Sequence, residues 1–137
     1  MISTLPNQSH PRLMIADDDP VVQSMLGMSL NQEFDVVGLA ADGEEAVKLA
    51  KASQPDAALV DVEMPGGGGL HAVRGIHEVA PDTAIVVLSI DESDGVVREF
   101  MQAGAVAYLR KGVAPQVLTD ALLDSIDAHA TERRERP

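Results

Sequence analysis

The chain has no cysteine and no tryptophan, and only one tyrosine and two phenylalanines among 137 residues. Without thiols there can be no disulfide, no thiolate zinc site and no cysteine nucleophile, which fits a cytosolic protein. With aromatics at 2%, a core must be filled by Val, Leu, Ile, Ala and Met. Positive charge is also scarce: 10 Lys and Arg stand against 22 Asp and Glu, for a net charge of −12. Such a surface repels nucleic-acid phosphates and anionic lipid, so neither direct nucleic-acid binding nor membrane binding is expected. No apolar run approaches the roughly 20 residues of a membrane helix. The polar start lacks the basic flank and apolar stretch of a signal peptide. A cytoplasmic location is the resulting expectation.

Apolar residues make up 45% of the chain, enough for the core of one domain. Five short apolar runs, at 12–16, 35–39, 57–60, 84–88 and 106–109, lack the in/out alternation of a half-exposed strand. They suit strands buried on both faces of a parallel sheet. Between them lie amphipathic segments at 20–32, 43–53, 70–79, 91–103 and 114–130. The first places Val21, Val22, Met25, Leu26 and Leu30 on one side. The second starts at Asp42, an N-cap residue, with Glu45 three positions on. Gly104 stops the fourth. In the last, Val117, Leu118, Ala121, Leu122, Ser125 and Ile126 recur at three and four residues. Strict β–α alternation predicts an α/β fold, a doubly wound five-stranded parallel sheet with five helices. Residues 1–11 read as a loose N-terminal tail, 12–130 as the domain, and 131–137 as a C-terminal tail, either a solvated helix end or the start of a linker.

In such a sheet the C-terminal ends of all strands open onto one rim, where ligands bind. Asp17, Asp18 and Asp19 follow the first run, Asp61 ends the third, Ser89 ends the fourth and Lys111 follows the fifth. Clustered carboxylates repel one another unless a cation neutralises them. A hard cation with oxygen ligands, such as Mg2+, answers that need. Lysine offers charge to an anion and serine offers a hydrogen bond. Together these groups can hold a phosphoryl group on one of the acids.

At these residues the sequence resembles the receiver domains of two-component response regulators, from about residue 12 to 130. The likeness rests on Ile15-Ala16-Asp17-Asp18-Asp19-Pro20, Leu59-Val60-Asp61-Val62-Glu63-Met64-Pro65 with Gly69, Val87-Leu88-Ser89, and Tyr108-Leu109-Arg110-Lys111. Four motifs in order at matching spacing are far more specific than any one alone. The resemblance implies a flavodoxin-like strand order of 2-1-3-4-5, with Asp61 as phosphoacceptor and Asp17 and Asp18 holding Mg2+ together with Asp61. It further implies the Glu63 backbone carbonyl as a metal ligand, Ser89 as switch hydroxyl, Lys111 as phosphate contact and Tyr108 as the aromatic that moves on activation. The partners implied are a sensor histidine kinase and an output domain or downstream protein. A homodimer could use the face of the fourth helix, fifth strand and fifth helix, or that of the first and fifth helices.

The segment Val37-Gly38-Leu39-Ala40-Ala41-Asp42-Gly43 resembles the subfamily usually attached to a helix-turn-helix output domain, as does Gly112 in place of a proline after the lysine. Ile90 stands where many members carry a small residue, and Gly66 to Gly69 replace a more structured loop. Glu63 and Asp91, each two residues beyond a site residue, are expected with Ile90 to modulate phosphorylation kinetics.

Other readings are weaker. Asp19, next to Pro20 at a helix start, is better explained as an N-cap than as a metal ligand. His10, His71, His77 and His129 share no metal-ligand spacing and read as surface or tail residues. The glycine run lacks the Lys and Ser or Thr of a phosphate-cradling loop. A flavin carrier of the same topology would need a hydroxyl-rich first loop and flanking aromatics. An aspartate-nucleophile phosphatase would need Asp-x-Asp where Asp61-Val62-Glu63 stands. A degenerate interaction module would not keep the full set of acids, serine and lysine.

Overall fold

Residues Ala57–Asp61 and Ala84–Ser89 are buried along their whole length. A strand without an exposed side chain must be covered on both faces, and helices do this here. The computed structural model describes residues 10–65 and 68–135. In it β1 (Arg12–Ala16), β2 (Asp35–Ala40), β3 (Ala57–Asp61), β4 (Ala84–Ser89) and β5 (Ala107–Arg110) alternate with five helices. These are α1 (Pro20–Leu30), α2 (Gly43–Ser53), α3 (Gly68–Val79), α4 (Asp94–Ala103) and α5 (Pro115–Glu135). All strand pairs are parallel, in the order β2-β1-β3-β4-β5, as expected.

Successive strand residues point to opposite faces, which splits the core into two layers. Met14, Ala16, Ala58, Val60, Ile85 and Val87 pack on one face with Ala46, Ala50, Val73, Ile76 and Phe100 of α2, α3 and α4. Leu13, Ile15, Leu59, Val86 and Leu88 pack on the other with Leu30, Leu118 and Leu122 of α1 and α5.

Local polar contacts set the helix ends. The Asp42 carboxylate accepts from the Glu45 N–H at 2.7 Å, and the Glu45 carboxylate accepts from the Ala41 N–H at 2.7 Å. This reciprocal cap reaches one residue further back than a standard capping box. At the far end of α2, the Arg12 guanidinium donates to the carbonyls of Ser53 and Gln54 at 2.7 and 3.1 Å, and so satisfies acceptors the helix leaves open.

Several expectations need correction. Only Leu30 of α1 is buried; Val21 and Met25 are 64% and 61% exposed. The inward stripe runs through residues 22, 26 and 30, and positions 21 and 25 turn away from it. Helix α4 begins at Asp94 rather than 91 because the Asp91 carboxylate accepts from the Ser93 N–H and holds a turn there. Gly66 and Gly67 lie outside the described residues, but Gly68 and Gly69 are the first turn of α3, not loop. Helix α5 runs on to Glu135, so 131–135 form the exposed end of the helix, one of the two readings expected for them. His129 is not a surface residue: it extends the inner stripe of Leu118, Leu122 and Ser125, and its Nε2 lies 2.8 Å from the Pro81 carbonyl oxygen. The expected N-terminal tail falls mostly outside the described residues. Pro11 already joins the fold, its carbonyl accepting from the Asp35 N–H.

Candidate functional site

Strand β1 delivers Asp17 to the rim. Its N–H donates to the Ala40 carbonyl at 2.9 Å and continues the ladder with β2. The next residues turn sharply, and the Asp19 N–H donates to the Asp17 carboxylate at 2.9 Å. The Asp19 carboxylate in turn accepts from the Val21 N–H, with Pro20 opening the helix. Asp19 is therefore the cap of α1, as expected. Gln23 ties this turn to the sheet, its side-chain amide donating to the carbonyls of Asp17 and Ala40 at 2.6 and 3.0 Å.

Asp61 closes β3, where the Val62 N–H still donates across to the Leu88 carbonyl. Its carboxylate is 3% exposed and accepts from the Glu63 N–H at 3.2 Å and from Lys111 Nζ at 2.7 Å. Lys111 is positioned through its backbone, whose N–H donates to the Ser89 carbonyl. Gly112 follows with φ of 91°, a conformation that suits glycine and turns the chain away from the rim.

One carboxylate oxygen each of Asp17, Asp18 and Asp61 lies within 4.8 Å of the others, Asp17 and Asp61 being buried and Asp18 exposed. Burial raises the pKa of Asp17, and the neighbouring charges of Asp61 and Asp18 add to it, against the opposing pull of the Asp19 N–H and Lys111. For Lys111 burial acts to lower the pKa, but hydrogen bonds and charge from Asp61 and Glu63 prevail and raise it. The lysine is accordingly held as a cation. Oxygen donors of one sign converging at this distance match the ligand chemistry of a hard divalent cation. The acids and Lys111 line a cleft of about 500 Å³ whose other wall is Val22, Met25, Leu26 and Leu88.

Residues 13–123 match the response regulator receiver domain family. The chain belongs to that family. The receiver domain is 38% identical over 118 residues to the transcriptional regulatory protein YxjL of Bacillus subtilis (strain 168), covering 85% of this chain and 54% of YxjL. It is 36% identical over 113 residues to the response regulator GacA of Pseudomonas aeruginosa, covering 81% of this chain and 53% of GacA. The chain thus spans about half the length of these curated relatives. Among solved structures, the signal receiver domain of the response regulator NarL from Mycobacterium tuberculosis superimposes with a TM-score of 0.82 at 29% identity. That match covers 87% of this chain and 98% of the other. These relatives support the subfamily that the segment around Gly38 pointed to, the one linked to helix-turn-helix output domains.

The remaining expected residues form a second group on the receiver domain's rim. Ser89 is fully buried, and its hydroxyl oxygen accepts from the Asp91 N–H at 2.9 Å. The Tyr108 hydroxyl donates to the Asp91 carbonyl oxygen, and its ring meets Phe100 edge-on at 5.9 Å. Asp91 thus joins Ser89 to Tyr108 through its backbone. Its exposed carboxylate serves the local turn, and the N–H and then the hydroxyl of Ser93 lower its pKa. Ile90 is 72% exposed. Glu63 reaches across the rim to Lys111, Oε1 lying 3.3 Å from Nζ. Gln23 escaped the sequence reading, because a glutamine on a helix gives no signal of which way it points.

Proposed function

We propose that this receiver domain accepts a phosphoryl group from a sensor histidine kinase on Asp61 in an Mg2+-dependent reaction. The observation that carries the reading is the convergence of three carboxylates within 4.8 Å, with Lys111 Nζ 2.7 Å from the Asp61 carboxylate. Asp17, Asp18, Asp61 and the Glu63 backbone carbonyl would hold Mg2+, which supplies positive charge for the phosphoryl oxygens when bound.

The protein's own groups do the rest. An Asp61 carboxylate oxygen attacks phosphorus as the donor's bond to phosphorus breaks, and the donor leaves with that electron pair. Lys111 faces the anionic phosphoryl oxygens, and the Ser89 hydroxyl donates to one of them. When Ser89 turns to the phosphoryl group, the Asp91 N–H loses its acceptor, the Asp91 turn shifts, and Tyr108 is freed from the Asp91 carbonyl. The state of Asp61 thereby reaches the surface around α4 and β5, and from there an output domain or downstream protein. Glu63, which lines the cleft, and Ile90 and Asp91, which follow Ser89, modulate the kinetics. The domain catalyses only its own phosphorylation and dephosphorylation, in the cytoplasm, where kinase and phosphodonors reside.

The test is incubation with acetyl phosphate and Mg2+, followed by intact-mass measurement. The wild-type protein gains one phosphoryl group and Asp61→Asn gains none, since an amide keeps the shape but not the nucleophile. Labelling of Asp61→Asn would move the acceptor elsewhere.

A further inference from the structure

Lys111 contacts two carboxylates at once: its Nζ lies 2.7 Å from Asp61 Oδ1 and 3.3 Å from Glu63 Oε1. The two acids differ in freedom. Asp61 ends a central strand, is 3% exposed and is tied by the Glu63 N–H. The Glu63 side chain is 51% exposed, so it can swing away at little cost. Among the described residues lining the cleft, Lys111 is the only cation. A phosphoryl group on Asp61 would replace the single carboxylate charge by up to two on the phosphoryl oxygens, a net gain of one, within the reach of that one ammonium. Phosphoryl oxygens and the Glu63 carboxylate would then compete for the same donors.

On the reading of Asp61 as phosphoacceptor, we propose that Glu63 is a positioning residue that holds Lys111 in the unphosphorylated state and is displaced by the phosphoryl group. Glu63 serves as an internal anion standing in for the phosphoryl oxygens. It keeps the ammonium over Asp61 before reaction, and its release is part of the work of phosphorylation. This differs from simple repulsion of an anionic donor at the cleft mouth, because the effect runs through contact with Lys111. Contact depends on side-chain length, whereas repulsion by a nearby charge hardly does.

Acetyl phosphate, at saturating Mg2+ and fixed ionic strength, distinguishes the two. Glu63→Gln removes the charge, whereas Glu63→Asp keeps it but shortens the side chain by one methylene and takes the carboxylate out of reach of Lys111. An exposed ion pair of this kind is worth about twofold to fivefold in rate. Both variants are expected to take up the phosphoryl group about twofold to fivefold faster than wild type, while still unfolding in a single cooperative transition. Faster uptake by Glu63→Gln with Glu63→Asp at the wild-type rate would reduce Glu63 to a repelling charge and overturn the proposal. Equal rates in all three would overturn it too. If the wild-type protein takes up no phosphoryl group at all, the acceptor reading fails and this inference falls with it.

Discussion

Gly69 lies against the backbone of Val62, its N–H donating to the Val62 carbonyl at 2.9 Å. A methyl group on Gly69 would sit 2.6 Å from the Val62 α-carbon and 2.9 Å from the Asp61 carbonyl oxygen. Since these neighbours are backbone at the end of a central strand, they cannot yield as a flexible side chain would. Gly69→Ala is therefore expected to destabilise the fold by about 1–3 kcal/mol and to slow phosphorylation by displacing Asp61. Gly68, one residue earlier, has φ of 81° but open space around it. Its alanine variant should cost only the left-handed backbone conformation, about 1–2 kcal/mol, and leave the site in place. Urea unfolding and acetyl phosphate uptake on both variants check the contrast.

The acidic cluster predicts a dependence on divalent cations. Asp17 and Asp61 are buried together with Asp18 beside them, so the apo protein carries an uncompensated repulsion that Lys111 only partly offsets. Mg2+ should raise the melting temperature by mass action, and Asp18→Ala should lose most of that shift. Without Mg2+, Asp17→Asn should unfold at a higher temperature than wild type at neutral pH, because one buried charge of the cluster is gone. An undiminished Mg2+ shift in Asp18→Ala would remove that residue from the metal site.

Much of this was legible in the sequence for a physical reason. Strands buried on both faces must be apolar throughout, so runs such as 57–60 and 84–88 stand out against their surroundings. Polar residues at the ends of such runs have few uses other than the rim, which is why Asp17, Asp61, Ser89 and Lys111 could be picked out. What escaped depends on side-chain direction or on packing between distant segments. The contact of Glu63 with Lys111 joins residues 48 apart, and no local pattern announces it. Val21 and Met25 fit an apolar stripe by spacing alone, yet the stripe that faces the sheet lies one position further round. Glu132 to Glu135 carry no helix-stop signal, and their charge reads as solvated whether helical or not.

The burial of His129 leads to a test at the opposite edge of the sheet. A carbonyl only accepts, so Nε2 carries the proton and donates to Pro81. One turn later the Arg133 guanidinium pairs with the Asp82 carboxylate and reaches the Pro81 carbonyl at 3.5 Å. These contacts pin the end of α5 to the turn before β4. His129→Ala should cost about 1–3 kcal/mol, from the cavity and the lost hydrogen bond. Arg133→Ala, which removes an exposed pair, should cost at most about 1 kcal/mol. Amide exchange in 130–135 should quicken in both variants, while exchange in β3 and β4 should quicken only where global stability has fallen. Unchanged exchange at 130–135 in His129→Ala would mean that the end of α5 is held by its own helical bonds.

Asp91 provides a pH dependence whose sign follows from its hydrogen bonds. Its exposed carboxylate is held by the Ser93 N–H at 2.9 Å, so its pKa in the folded protein lies below the ordinary value of 3.8. A group whose pKa is depressed by folding contributes stability above its unfolded pKa and loses that contribution as pH falls through the folded one. Asp91→Ala should therefore lower the melting temperature at pH 6, and its deficit against wild type should shrink as the pH drops below about 4. The same turn presents the Asp91 N–H to Ser89 and the Asp91 carbonyl to Tyr108. The substitution should consequently also broaden the amide resonances of residues 90–93 and those around Tyr108, even at pH 6, where the global fold is intact. Asp91→Asn keeps an oxygen acceptor for the Ser93 N–H but has no titratable group. Its melting-temperature difference from wild type should be smaller than that of Asp91→Ala at pH 6 and should move in the stabilising direction as the pH falls. A deficit of Asp91→Ala that stays constant from pH 6 to 3 would show that the carboxylate's charge does not stabilise the turn.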